Sequence, residues 1–79
     1  MRVLLFARLR EAFGVPERAL EFPDGARAGD VWAALLRERP ALQALSVSIR
    51  IARNGRLVAA SEPLGDGDEV ALLPPSGGG

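Results

Sequence analysis

Only one segment of this 79-residue chain has the pattern of a good helix, and short apolar strands lie on both sides of it. Asp30 stands near the start of residues 29–39, where its charge favours the helix dipole, and Pro40 ends the helix. A single amphipathic helix has to cover its apolar stripe against a sheet, which predicts an α+β fold. The stripe consists of Val31, Trp32, Leu35 and Leu36.

The first strands lie before this helix. Residues 2–8 are apolar on both faces, and residues 17–22 partly alternate between charged and apolar side chains. We expect the two to pair as a hairpin around one helical turn at 9–13, which Gly14 closes in the left-handed conformation.

The clearest hairpin signal in the chain is Asn54-Gly55. It joins a strand predicted at 47–53 to a returning strand at 56–60. In the first of these, alternation places Ala52 on the outside and three apolar residues in the core: Val47, Ile49 and Ile51.

The order strand, strand, helix, strand, strand, strand fits a β-grasp (ubiquitin-like) arrangement. This is a mixed sheet of about five strands with one main helix packed across it. The strands at 2–8 and 69–73 would be central and parallel, and Pro74-Pro75 would end the sheet ladder. We expect one domain over residues 1–75 and a flexible glycine-rich tail over 76–79.

The chain contains no Cys, His, Lys or Tyr, and its ten Arg balance ten Asp plus Glu. This composition excludes disulfides, zinc fingers, Ser-His nucleophile pairs and Schiff-base lysines. The zero net charge argues against a nucleic-acid partner, and residues 3–7 are too short an apolar run for a signal peptide or membrane span. We expect a cytoplasmic protein with no membrane or nucleic-acid partner.

Two groups of residues remain as candidates for a functional site. Asp66, Asp68 and Glu69 are interpreted as turn-forming and solubilising residues, so no metal site is predicted. The outward face of the two central strands is predicted to bind a partner beside the tail. The residues assigned to this partner-binding surface are Leu4, Phe6, Ala71, Leu73, Pro74 and Pro75.

Three segments carry a family resemblance over nearly the full chain: LFARLRE, RNG and LGDGDEVALLPPSGGG. They resemble the small subunits of molybdopterin synthase, the MoaD-type ubiquitin-like sulfur carriers of the MoaD/ThiS superfamily. The combination of the DGDEV and Pro-Pro motifs with a glycine ending is the specific part. The chain departs from the family only at Gly77, where several residues are tolerated, and Gly78 and Gly79 still align.

The resemblance implies a mechanism in which Gly79 is the reacting residue, while Gly77 and Gly78 thread into a narrow channel. An E1-like enzyme adenylates the Gly79 carboxylate with ATP, and a sulfur donor of the cysteine desulfurase or rhodanese type then yields a thiocarboxylate. Inside the large catalytic subunit, the thiocarboxylate gives sulfur to cyclic pyranopterin monophosphate. The chain itself would bind no cofactor, and its partners would supply the catalytic side chains.

Two alternatives stay open at this point. The chain could serve as a sulfur carrier in thiamine synthesis or tRNA thiolation, or as a protein modifier. The thiamine carriers, however, lack the LLPP run that this chain has. It could also be a non-catalytic β-grasp interaction module with an inert tail.

Overall fold

The computed structural model describes residues 1–75, and Gly77, Gly78 and Gly79 lie outside this range. Its elements alternate between short strands and helices. In chain order they are β1 (Arg2–Leu5), α1 (Ala7–Phe13), β2 (Glu17–Ala19), α2 (Ala28–Glu38), a 3₁₀ helix (Pro40–Leu45), β3 (Arg50–Arg53), β4 (Arg56–Val58) and β5 (Glu69–Leu73).

The five strands form one mixed sheet in the order β2-β1-β5-β3-β4. β1 and β5 are parallel neighbours, and the other three pairs are antiparallel. The predicted β-grasp arrangement, including the central parallel pair and the N-terminal hairpin, is therefore confirmed. The domain boundary proposed at residue 75 stays a prediction.

The core lies between one face of the sheet, here called the inner face, and the helices. Helix α2 contributes its predicted stripe, of which Leu36 is only partly buried. Trp32 is core, as predicted, and donates a hydrogen bond from its indole Nε1 to Ser46 Oγ at 3.0 Å. The largest fully buried side chains are Val3, Leu5, Leu9, Val31, Leu35, Val70 and Leu72.

Strand β3 is shorter than predicted, and the placement of Val47 in the core is wrong. The amides of Ser48 and Ile49 both donate to the carbonyl of Leu45, at 3.0 and 2.9 Å, so the chain is still turning there. Val47 lies in this turn with 94% of its surface exposed. Strand alternation begins only after the turn, and Ile51 then faces the core as expected.

Three further strands, β1, β2 and β4, are also shorter than the sequence pattern predicts, whereas β5 has the predicted bounds. β1 ends at Leu5 since Ala7 already begins α1. β2 ends at Ala19, opposite the first residue of β1. After β4 the chain turns towards α2, where the amide of Gly29 donates to the Ala60 carbonyl at 2.8 Å.

None of the helices among residues 1–75 has the length and hydropathy needed to cross a bilayer.

Candidate functional site

One row of apolar side chains crosses the face of the sheet that points away from α2, here called the outer face. The strand register aligns Leu4 with Ala71, Ala71 with Ala52, and Ala52 with Leu57. Directly aligned residues in neighbouring strands project to the same face, so the four side chains form one continuous row. Glu17 of β2 lies opposite Leu4 and bounds the row.

The row widens towards the end of β5. Leu73 lies two residues beyond Ala71 on the same strand face, and Phe6 continues β1 in extended backbone (φ −121°, ψ 155°), two residues beyond Leu4. Phe6 is 44% exposed and Leu57 is 59% exposed. Large apolar side chains grouped in this way on a surface mark an interaction site.

The sequence prediction placed Leu4, Phe6, Ala71 and Leu73 together, and the structure brings them onto one face. Their partner-binding role stays a prediction. Sequence reasoning missed Leu57, because an exposed leucine after a hairpin turn carries no signal until the strand order is known. Ala52 faces outwards as expected, but only 8% of its surface is exposed, since it lies in the row between Ala71 and Leu57.

The orientation of Phe6 depends on an unusual backbone conformation at the next residue. Ala7 has a φ of 48°, in the left-handed region that residues with a Cβ normally avoid. This conformation turns the chain directly from β1 into α1, whose first turn closes with a 3.0 Å hydrogen bond from the Leu9 amide to the Phe6 carbonyl. The sharp turn leaves Phe6 at the end of the strand.

Helix α1 is fixed to its neighbours by an aromatic ring and two cations. The guanidinium groups of Arg18 and Arg39 lie 5.7 and 5.4 Å from the centre of the Phe13 ring, within the range of cation–π attraction. Arg18 also forms a 2.8 Å ion pair with Glu38 at the end of α2. These contacts join α1, β2 and α2 on the inner side of the sheet, since Arg18 is aligned with the core residue Val3.

A buried carboxylate organises the turn that leads into β5. Asp68 is 8% exposed and accepts hydrogen bonds from the Gly65 amide (2.7 Å), Arg53 Nε (2.8 Å) and Asn54 Nδ2 (3.0 Å). The Gly65 amide first, and then the two side chains, favour the charged form and lower the pKa of Asp68 to about 2.

Neighbouring contacts extend this cluster. Arg53 also binds Glu62 at 3.0 Å, and the backbone and side chain of Asn54 bond to the backbone of Glu69 at 2.8 and 2.9 Å. The hairpin β3–β4 is thereby fixed to the start of β5. The turn-forming role predicted for Asp68 agrees with this geometry, whereas its burial does not fit the predicted solubilising role. Residues 1–75 contain no group of three side chains that could hold a metal ion.

The outer face continues to the point where the chain leaves the sheet. Arg50 lies opposite Leu73, the last residue of β5. An open groove of about 580 Å³ follows, lined by Val47, Arg50, Leu73, Pro74 and Pro75. Pro74 is half-buried and Pro75 is exposed, so these two predicted contact residues extend the apolar surface past the sheet edge.

The sequence model of the ThiS family matches residues 3–79. The chain belongs to the ThiS family. The molybdopterin synthase sulfur carrier subunit of Chlamydomonas reinhardtii is 41% identical, covering 100% of this chain and 98% of that protein. This similarity supports the resemblance to the MoaD-type sulfur carriers.

Two solved structures extend the comparison. Small archaeal modifier protein 1 of Haloferax volcanii superposes with a TM-score of 0.81 at 34% identity, covering 99% of this chain and 97% of that one. A complex of subunits 1 and 2 of the molybdopterin-converting factor from Helicobacter pylori contains a chain that superposes with a TM-score of 0.66 at 28% identity. The superposition covers 99% of this chain and 96% of that one. The β-grasp fold is common to these proteins.

Proposed function

We propose that this chain is the sulfur carrier subunit of a molybdopterin synthase. The observation that carries the proposal is that apolar side chains of the outer face follow one another from Leu57 and Leu4 to Leu73, and lead on to Pro74 and Pro75. A partner that covers this face also receives the chain that follows Pro75. The similarity of this chain to the molybdopterin synthase sulfur carrier subunit of Chlamydomonas reinhardtii supports the proposal.

The partner on the outer face is the large catalytic subunit. The subunit 1–subunit 2 complex from Helicobacter pylori, which includes a relative of this chain, supports such a pairing. Pro74-Pro75 limits the conformational freedom that is lost on docking, while Gly77 and Gly78 allow threading through a channel too narrow for a Cβ.

The reacting group is the carboxylate of Gly79. One carboxylate oxygen attacks the α-phosphorus of ATP on an E1-like enzyme, pyrophosphate leaves, and an acyl adenylate forms. The terminal sulfur of a persulfide on the sulfur donor then attacks the acyl carbon and displaces AMP, which breaks one C–O bond and forms one C–S bond. A second thiol cleaves the S–S bond of the resulting acyl disulfide, which releases the thiocarboxylate and leaves the donor thiol and the second thiol joined as a disulfide. The resulting thiocarboxylate is nucleophilic at neutral pH and transfers its sulfur to cyclic pyranopterin monophosphate in the large subunit.

This chemistry needs no side chain of the carrier. Cytoplasmic ATP and the two partner enzymes supply the energy, acids and bases, and the carrier binds no cofactor of its own. The lack of Cys, His and Lys in the sequence is compatible with this division of labour.

Intact-mass spectrometry tests the proposal directly. The chain is co-expressed with an E1-like adenylating enzyme and a sulfur donor, and a mass increase equal to the difference between sulfur and oxygen is expected. A matched variant that lacks Gly79 should fold with the same thermal stability and show no increase. If the truncated chain still restored molybdoenzyme activity in cells without their own small subunit, the proposal would be refuted.

A second candidate function is that of a protein modifier, which the similarity to small archaeal modifier protein 1 favours. A modifier forms amide bonds between its terminal carbonyl and amines of other proteins. Epitope-tagged chain in cells would then appear in a ladder of covalent conjugates that survives boiling in detergent, whereas a dedicated sulfur carrier would run as a single band.

A further inference from the structure

The outer edge of β4 presents an unused pair of backbone hydrogen-bonding groups. Asn54 and Gly55 both have positive φ angles, 49° and 85°, which defines a type I′ two-residue hairpin. In such a hairpin Arg53 and Arg56, which flank the turn, exchange both hydrogen bonds, and every second pair does so thereafter. The N–H and C=O of Leu57 therefore point away from β3.

Within residues 1–75, this edge has no other strand beside it. β4 is the last strand of the sheet and pairs only with β3. Among the residues that the structure describes, no turn or loop hydrogen bond uses the backbone groups of Leu57. They are available to an incoming extended chain, which is the geometry of β-strand addition.

Side-chain alternation along β4 defines what such a chain would meet. Leu57 projects to the outer face, whereas Val58 packs against the core on the inner side. Beside Val58 lies a cavity of about 290 Å³ whose lining includes Trp32, Ile49 and Ala60. An apolar side chain next to Val58 would enter this cavity, and another next to Leu57 would extend the outer face.

Charge determines which residue the incoming chain would carry at its third position, beside Arg56. Arg56 is exposed, and Arg50 contributes to the lining of the cavity beside Val58. Neither arginine takes part in an ion pair within residues 1–75. The nearby Glu62 is already paired with Arg53. A carboxylate next to Arg56 would therefore complement an unpaired cation.

We propose that β4 is a docking edge for an extended segment of a partner protein with two successive apolar residues followed by an acidic one. The segment adds antiparallel to β4, the more stable pairing per residue. In this direction the first apolar residue lies beside Val58 and the cavity, the second beside Leu57, and the acidic residue beside Arg56. This edge site involves neither the tail nor Phe6, although Leu57 belongs both to the edge and to the outer face.

The probe is the acetylated and amidated peptide Thr-Ile-Val-Glu-Thr, titrated into isotope-labelled full-length chain and followed by NMR. The amide of Leu57 and the indole of Trp32 are expected to shift. Leu57→Pro removes the edge N–H at a position where proline is tolerated, and it should abolish the shifts. Leu57→Ala keeps the N–H and should retain binding.

A charge exchange provides a second arm that does not depend on the proline variant. Arg56→Glu should weaken binding of the peptide by about threefold, as expected for one exposed ion pair. The peptide Thr-Ile-Val-Arg-Thr should recover the loss with that variant. Three results would each overturn the proposal. The first is an unchanged peptide affinity in Leu57→Pro, and the second is a set of NMR shifts confined to Phe6 and Leu73. The third is a set of β4 shifts that depend on protein concentration in the absence of peptide. The last result would indicate a second copy of the chain as the occupant.

Discussion

Arg53 donates a hydrogen bond from Nε to Oδ2 of Asp68 at 2.8 Å, between residues that lie 15 positions apart in the sequence. The bond joins the turn of the β3–β4 hairpin to the start of β5. This contact therefore fixes the start of β5, the strand that ends just before Pro74.

Replacing Asp68 with Asn should destabilise the fold and remove part of its acid sensitivity. The pKa of Asp68 lies at about 2 in the folded chain against an ordinary value of 3.8. Between these pH values the unfolded chain binds more protons, so stability falls as the pH drops from 3.8 to about 2. Urea midpoints measured across this range should decline in the native chain and change less in Asp68→Asn.

The control for this substitution is Asp66→Asn, in the same turn but with an exposed side chain that makes none of the Asp68 hydrogen bonds. Its urea midpoints should follow those of the native chain. Equal acid sensitivity in native and Asp68→Asn chains would show that Asp68 does not hold its low pKa through these contacts.

Ala7 should respond to substitution according to its backbone conformation, because its side chain is exposed. Ala7→Val places a β-branched residue at a φ of 48° and should cost about 1–2 kcal/mol of stability. Ala7→Gly should be neutral or stabilising by up to about 1 kcal/mol, since glycine adopts this region without strain. Chemical denaturation distinguishes the two, and a native-like Ala7→Val would contradict the left-handed conformation.

The hydrogen bond between Trp32 and Ser46 should contribute about 1 kcal/mol. Trp32→Phe should destabilise more than Ser46→Ala, because it also removes packing volume from the core. A double-mutant cycle from thermal or urea unfolding isolates the coupling between the two side chains. Strict additivity of the two substitutions would mean that the hydrogen bond contributes nothing to stability.

Phe6→Asp should weaken binding to the large subunit of molybdopterin synthase by at least about tenfold without unfolding the domain. Phe6 is exposed in the free chain, whereas a charge in a docked apolar interface would be desolvated. Calorimetric titration measures the affinity. Ala44→Asp, at an exposed position of the 3₁₀ helix, is the control and should bind normally. Unchanged affinity in Phe6→Asp would move the interface to another face.

Much of this architecture could be predicted from the sequence because the signals are local. The apolar stripe of α2, its end at Pro40, the left-handed Gly14 after α1 and the Asn54-Gly55 turn each depend on a few neighbouring residues. The parallel pairing of β1 and β5 followed from the order of the elements. The outer-face residues could then be listed, except for Leu57.

The remaining features depend on tertiary contacts. Val47 continues a period-two pattern, yet the Leu45 carbonyl holds the backbone in a turn there. The hydrogen bonds of Asp68 come from residues on two separate turns, which no sequence spacing reveals. The free edge at Leu57 becomes visible only once β4 is known to be the last strand.

The position of β5 between β1 and β3 has a mechanical consequence. Tension applied at Pro75 acts along β5, so the hydrogen bonds to both neighbouring strands are loaded together in shear. They cannot open one after another, as they would if an edge strand such as β4 were peeled away. A partner could therefore pull the chain beyond Pro75 taut within a narrow channel while the domain itself holds its shape.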